Sequence, residues 1–144
     1  MKHMTKALIV SLILVSGVAV AKTGVQDPTV KARQDLMGTV AMNTKVLGDM
    51  AGGKAPFDAI AAEGARTALA AAAAEIPTRF KPQATDPVSE AKPEIWISWA
   101  DFVTKANGLA QAAAAIDTTS VDGVKAGMGG VGAACKACHS VYRM

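Results

Sequence analysis

Strand-forming stretches are missing from this 144-residue sequence: no segment alternates apolar and polar residues with β-branched enrichment. A fold built on sheets is therefore excluded. An excess of charge of one sign is missing too. The formal net charge is +3, and it falls to +1, 13 basic against 12 acidic residues, once Lys2 and Lys6 are set aside with the leader described next. Nothing in that balance supports nucleic-acid binding. Long apolar runs are absent as well. The segment ALIVSLILVSGVAV, after the basic start MKHMTK, is short of the roughly 20 residues that cross a bilayer. It ends in Ala19-Val20-Ala21, the small-x-small pattern of a secretory cleavage site. Residues 1–21 are expected to be a signal peptide removed after Ala21, and residues 22–144 a single domain with no membrane span. Histidine and cysteine are sparse: His3 leaves with the leader, so His139, Cys135 and Cys138 remain.

Alanine is abundant, and four helical segments follow from the periodicity. The first opens on Asp27-Pro28, an N-cap followed by proline at the first helical position. It runs to about Met50 before Gly52-Gly53, with a stripe of Val30, Arg33, Met37, Val40, Thr44 and Leu47. The second runs from near Pro56 through AAEGARTALAAAAAE to about Ile76, helical but weakly amphipathic. A proline-punctuated linker from Pro77 to Pro93 follows, long enough to suggest that it packs or carries function. The third helix is expected over Glu94 to Ile116, with Ile95, Trp99, Phe102, Ala106, Leu109, Ala113 and Ile116 facing inward. The fourth runs from Thr119 or Ser120 to Arg143. Four helices with short stripes predict an all-α fold, an antiparallel four-helix bundle.

The last of these helices carries GAACKACHSVYRM. Two cysteines and a histidine within one turn suit three chemistries. A redox dithiol belongs at a helix N-terminus, where the dipole favours the thiolate, whereas this motif lies in the last turns. Structural zinc needs four ligands, and two thiolates and one imidazole make three. Covalent haem uses all three groups: thioethers from Cys135 and Cys138 to one porphyrin edge, and His139, four residues from Cys135 on the same face, to the iron. Attachment also removes both thiols in an oxidising compartment. Five glycines, Gly123, Gly127, Gly129, Gly130 and Gly132, fit a helix with a flat macrocycle against it. Arg33, a charge on an apolar stripe, calls for a buried anionic partner.

CKACH near the end of a four-helix bundle, Arg33-Gln34 on the first helix and AKPEIW (Ala91 to Trp96) before the third resemble the class II c-type cytochromes, which include the cytochromes c′ and the low-spin cytochromes c556 and c554. The likeness spans residues 22–144. It implies one haem c with its iron, Cys135 and Cys138 as thioether residues and His139 as axial ligand. Arg33 matches the arginine that faces a haem propionate, Gln34 also lines the haem, and Glu90 matches a loop position at the haem edge. Met37 matches the distal position. A methionine there binds iron in the low-spin branch; in the c′ branch the position is occupied by a non-ligand and the iron is five-coordinate. RQDLM (Arg33 to Met37) resembles the c′ pattern, whereas VLG (Val46 to Gly48) and the absence of an aromatic residue in the first helix resemble the low-spin branch, so both ligations stay open with a lean to Met37 on iron.

The resemblance implies a periplasmic one-electron carrier rather than an enzyme, with periplasmic redox proteins as partners. The alternative is a five-coordinate, high-spin protein that binds small gas ligands, nitric oxide or carbon monoxide. A homodimer through the first two helices is implied as well.

Overall fold

The computed structural model describes residues 24–144, so the expected leader and its cleavage site at Ala21 lie outside the described residues. Five helices follow one another: α1 Pro28–Ala51, α2 Ala59–Phe80, the single turn α3 Glu94–Ile97, α4 Trp99–Ala114 and α5 Val121–Tyr142. The four long ones pack in a ring, α1 on α2, α2 on α4, α4 on α5 and α5 on α1. Short connections join α1 to α2 and α4 to α5, and the long linker with α3 joins α2 to α4, so the chain reverses between neighbours as in an antiparallel bundle.

Local chemistry explains the boundaries. Asp27 Oδ1 accepts the backbone N–H groups of Thr29 and Val30 at 2.8 and 2.9 Å, with Pro28 in the first turn. Gly53, at φ 70°, turns the chain out of α1 where a side chain would be strained. Asp58 caps α2 through Ile60 and Ala61, and Ser120 caps α5 through Gly123.

Two boundaries differ from expectation. The second helix does not stop at Ile76; it continues through Pro77 to Phe80. Proline there removes one backbone donor, but Ile76 and Phe80, one turn apart, are both buried. Their burial, worth roughly 1.5–3 kcal/mol each, outweighs one lost hydrogen bond of about 1 kcal/mol. The linker therefore begins at Lys81. The third helix is interrupted at Ser98 (φ −112°, ψ 45°) and closes at Ala114. Six of its seven predicted inward residues are buried even so, Trp99 being half-buried.

The core centres on Leu47, Leu69, Ile95, Val30, Val124 and Val131, all almost fully enclosed. On α1 the buried arc is wider than predicted: Leu36, Asn43 and Met50 are also buried, because α1 packs on α2 as well as α5. The buried stripe of α2 is made largely of Ala62, Ala65, Ala72 and Ala73, so its neighbours approach closely. Two of the five α5 glycines have an explanation other than the one expected. A Cβ on Gly123 would lie 2.6 Å from the Asp117 carbonyl oxygen, and one on Gly127 would lie 2.8 Å from the Ile116 side chain. These two glycines admit the α4–α5 turn, whereas Gly129 and Gly132 meet nothing within 4 Å.

Candidate functional site

A cavity of about 830 Å³ opens between α1, the end of α2, the linker, α4 and α5. That lies inside the roughly 300–1,000 Å³ range of small-molecule and cofactor sites. Arg33, Gln34 and Met37 line it from α1, Glu90 from the linker, and Cys135, Cys138 and His139 from α5. All seven residues singled out in the sequence thus share one space. Between them lie apolar side chains, among them Val30, Val40, Phe102 and Leu109.

On α5 the two sulfurs are separate thiols, both half-buried. Burial pushes both thiols up from their ordinary value, which disfavours a redox thiolate pair. Among the described residues, no group of three or more histidine, cysteine and acidic side chains is placed to share a metal ion. Partial burial, and then the positive charge of Arg143, push the His139 imidazole down, which favours the neutral form with a free lone pair.

The linker is tied across the end of α5. Ala91 and Arg143 form an antiparallel bridge, Lys92 N–H donates to the Tyr142 carbonyl at 3.0 Å, and Met144 N–H donates to the Glu90 carbonyl at 2.9 Å. The Glu90 carboxylate pairs with Arg143 at 2.5 Å, which places Glu90 beside the last turn of α5. Gln34, largely exposed, donates its amide to the Val88 carbonyl at 3.2 Å and fastens the same linker to α1.

Arg33 is 3% exposed. Three of its donors go to backbone carbonyls: Nε donates to Arg79 O at 3.3 Å, Nη1 to Ala84 O at 3.2 Å, and Nη2 to Pro82 O. Burial alone pushes its pKa down, with Asp27 opposing. A guanidinium carries five N–H groups, so two remain uncommitted.

Sequence reasoning passed over the contacts of five residues here. Phe80 and Trp96 lie 5.3 and 5.1 Å from the Arg33 guanidinium carbon; Trp96 was visible as part of PEIW, though its contact was not. Tyr142 sends its hydroxyl to Asp101 at 2.5 Å, and Lys105 meets the same carboxylate at 2.8 Å. The Asp101–Lys105 pair has the local i,i+4 spacing, but no local signal joins it to Tyr142, 41 residues away.

Two thiols and an imidazole on one helical wall, an apolar interior and a buried cation with donors to spare fit a flat hydrophobic ring bearing carboxylate arms. A porphyrin has that chemistry. The profile of the cytochrome C′ family matches residues 28–143. The chain belongs to that family.

Cytochrome c-554 of Cereibacter sphaeroides is 34% identical over 95% of each chain. The structure of cytochrome c′ from Rhodobacter sphaeroides superimposes with a TM-score of 0.74 at 28% identity, covering 81% of this chain and 95% of that one. A nitric oxide complex of a variant of cytochrome c prime from Alcaligenes xylosoxidans gives 0.70 at 30% identity, covering 80% and 93%. Members of the cytochrome c′ family are monohaem electron carriers and gas binders rather than typical enzymes. They are typically periplasmic. The cofactor is one covalently attached haem c with its iron. No helix among the described residues is long and apolar enough to cross a membrane.

Proposed function

We propose that this chain is a periplasmic one-electron carrier, exported by a leader of residues 1–21, with haem c in the cavity between α1 and α5. One observation carries the reading: the three groups of CKACH and the α1 residues Arg33, Gln34 and Met37 line the same space. Cys135 and Cys138 hold the macrocycle through thioethers, and His139 provides the axial nitrogen. Arg33, with its two free donors, faces a haem carboxylate; Gln34 lies beside it and Glu90 sits at the edge. Met37 is the one methionine among the residues lining the cavity, and it provides the sixth ligand. When bound, the iron supplies a one-electron couple, and a histidine–methionine ligand pair raises its potential. The protein's share is to keep the site dry, fix both ligands and neutralise a carboxylate. Periplasmic redox proteins are the partners of such a carrier.

The second reading has Met37 as packing only and a distal face open to nitric oxide or carbon monoxide. It is favoured by the nitric oxide complex formed by a relative's variant. A groove between α1 and α2, lined by Ala32, Leu36, Ala68 and Ala71, suits a second copy of the chain and supports pairing through those helices.

The test is mass spectrometry and absorption spectroscopy of the protein made in a host that matures c-type cytochromes. Added mass of one haem, with a low-spin ferric spectrum unaltered by carbon monoxide in the ferrous form, supports the carrier. A high-spin spectrum that shifts with carbon monoxide moves the assignment to gas binding, and a colourless protein of unaltered mass refutes both.

A further inference from the structure

We infer that Trp96 and Phe80 are positioning residues for Arg33: their rings, with the linker carbonyls, hold the guanidinium as a fixed cation whose field tunes the electron affinity of the cofactor, on the reading above that the cavity holds haem.

The guanidinium is enclosed, yet none of the ion pairs among the described residues includes it. A buried charge is costly unless it is hydrogen-bonded, and a long arginine side chain resists being ordered, so contacts within the protein must hold it in place. The carbonyls of Arg79, Pro82 and Ala84 fix three of its donors in one plane. Both aromatic rings stand within the 6 Å over which a cation is attracted to a π face. The rings are themselves braced. Trp96 Nε1 donates to the Phe80 carbonyl at 2.8 Å, which locks α3 to the last turn of α2. Phe80 is buried and packs on Phe102 at 5.4 Å. The extension of α2 past Pro77 brings Phe80 and the Arg79 carbonyl to the arginine, and the break at Ser98 leaves α3 free to aim Trp96 at Phe80.

A cation held in a low-dielectric wall favours the ferrous over the ferric state, because reduction removes one positive charge from its neighbourhood. With the rings removed, the side chain is free to swing its head to solvent, where water and salt screen it.

Potentiometric titration of the holoprotein tests this, with Trp96→Phe, Trp96→Leu and Phe80→Leu each made in the parent and in an Arg33→Met background. In the parent, Trp96→Leu and Phe80→Leu should move the ferrous-to-ferric ratio at fixed potential roughly three- to tenfold toward ferric, tenfold being about 59 mV for one electron. Trp96→Phe, which keeps a ring, should retain most of the parent ratio. In Arg33→Met the same substitutions should change it less than about twofold, as expected when an effect passes through a partner already removed. A parent-like potential in Trp96→Leu overturns the inference, and so does an equal shift in both backgrounds, which would mean that the rings act on the cavity directly. Covalent haem content, measured by mass in every variant, separates the two levels. Haem absent from the parent refutes the functional reading, and haem present with equal shifts refutes the positioning role alone.

Discussion

The Asp86 carboxylate accepts the backbone N–H of Asp27 at 2.9 Å, so the residue that caps α1 is itself held by the linker. The same carboxylate takes the N–H groups of Gln26 at 2.7 Å and Val88 at 3.0 Å. One acidic side chain thereby sets the start of α1 against the segment whose carbonyls surround Arg33.

Those three backbone donors hold the Asp86 carboxyl below its ordinary value of 3.8, the bond from Asp27 contributing most. A lowered folded-state pKa means stability that is present above 3.8 and lost as pH falls from there through the lower, folded-state value. Asp86→Asn should therefore melt at a lower temperature than the parent at neutral pH. The two melting curves should converge on acidification. Parallel curves across the acid range would show that Asp86 contributes no pH-linked stability.

Tyr142 is the chain's one tyrosine, so its titration is readable without interference. Its bond to Asp101, aided by burial, pushes the phenol up to about 12 from 10.0. With the folded-state value raised, the associated stability is complete below pH 10 and disappears as pH rises toward 12. Tyrosinate absorbance should titrate near the higher value in the parent and return toward 10 in Asp101→Asn. Tyr142→Phe should keep the edge contact with Phe102, at 5.3 Å between centroids, while losing the alkaline limb of stability.

Glycines on one helix should split into two classes. Gly123→Ala and Gly127→Ala, which press on the Asp117 backbone and the Ile116 side chain, should each cost about 1–3 kcal/mol. Gly132→Ala has open space around the new methyl and should stabilise α5 by up to about 1 kcal/mol. Urea denaturation of the three variants checks the contrast. Equal effects at Gly127 and Gly132 would mean that helix propensity, not the turn, governs both.

Met37→Ala should convert a low-spin ferric spectrum to high-spin and admit carbon monoxide to the ferrous form. Met37→Leu, close to it in volume, should do the same with less loss of stability, since volume-conserving swaps usually cost under about 1.5 kcal/mol. Unaltered spectra in both variants would assign Met37 to packing.

The bundle and the site were legible in the sequence to different depths. Asp27-Pro28 and Ser120 announced their helices because capping is local chemistry, and CKACH narrowed its own use by counting ligands. Arg33 was conspicuous as a charge on an apolar stripe, but its surroundings were not, since the carbonyls of residues 79, 82 and 84 come from a segment read as continuous linker. Pro77 marked the wrong boundary because a local breaker was outvoted by the burial of Ile76 and Phe80. The inward face of α2 was hidden for another reason: a stripe of alanines on an alanine-rich helix gives no contrast to read. Gly123 and Gly127 were noticed for their number, whereas their cause, a tight turn, needed three dimensions.

That alanine stripe has an architectural outcome. Small side chains at Ala62, Ala65, Ala72 and Ala73 let α2 nestle against its neighbours, whereas the slot opens between α1, α4, α5 and the end of α2. Enlarging any of these alanines would act as a shim between α2 and its neighbours, altering the slot's width from positions that do not themselves line it.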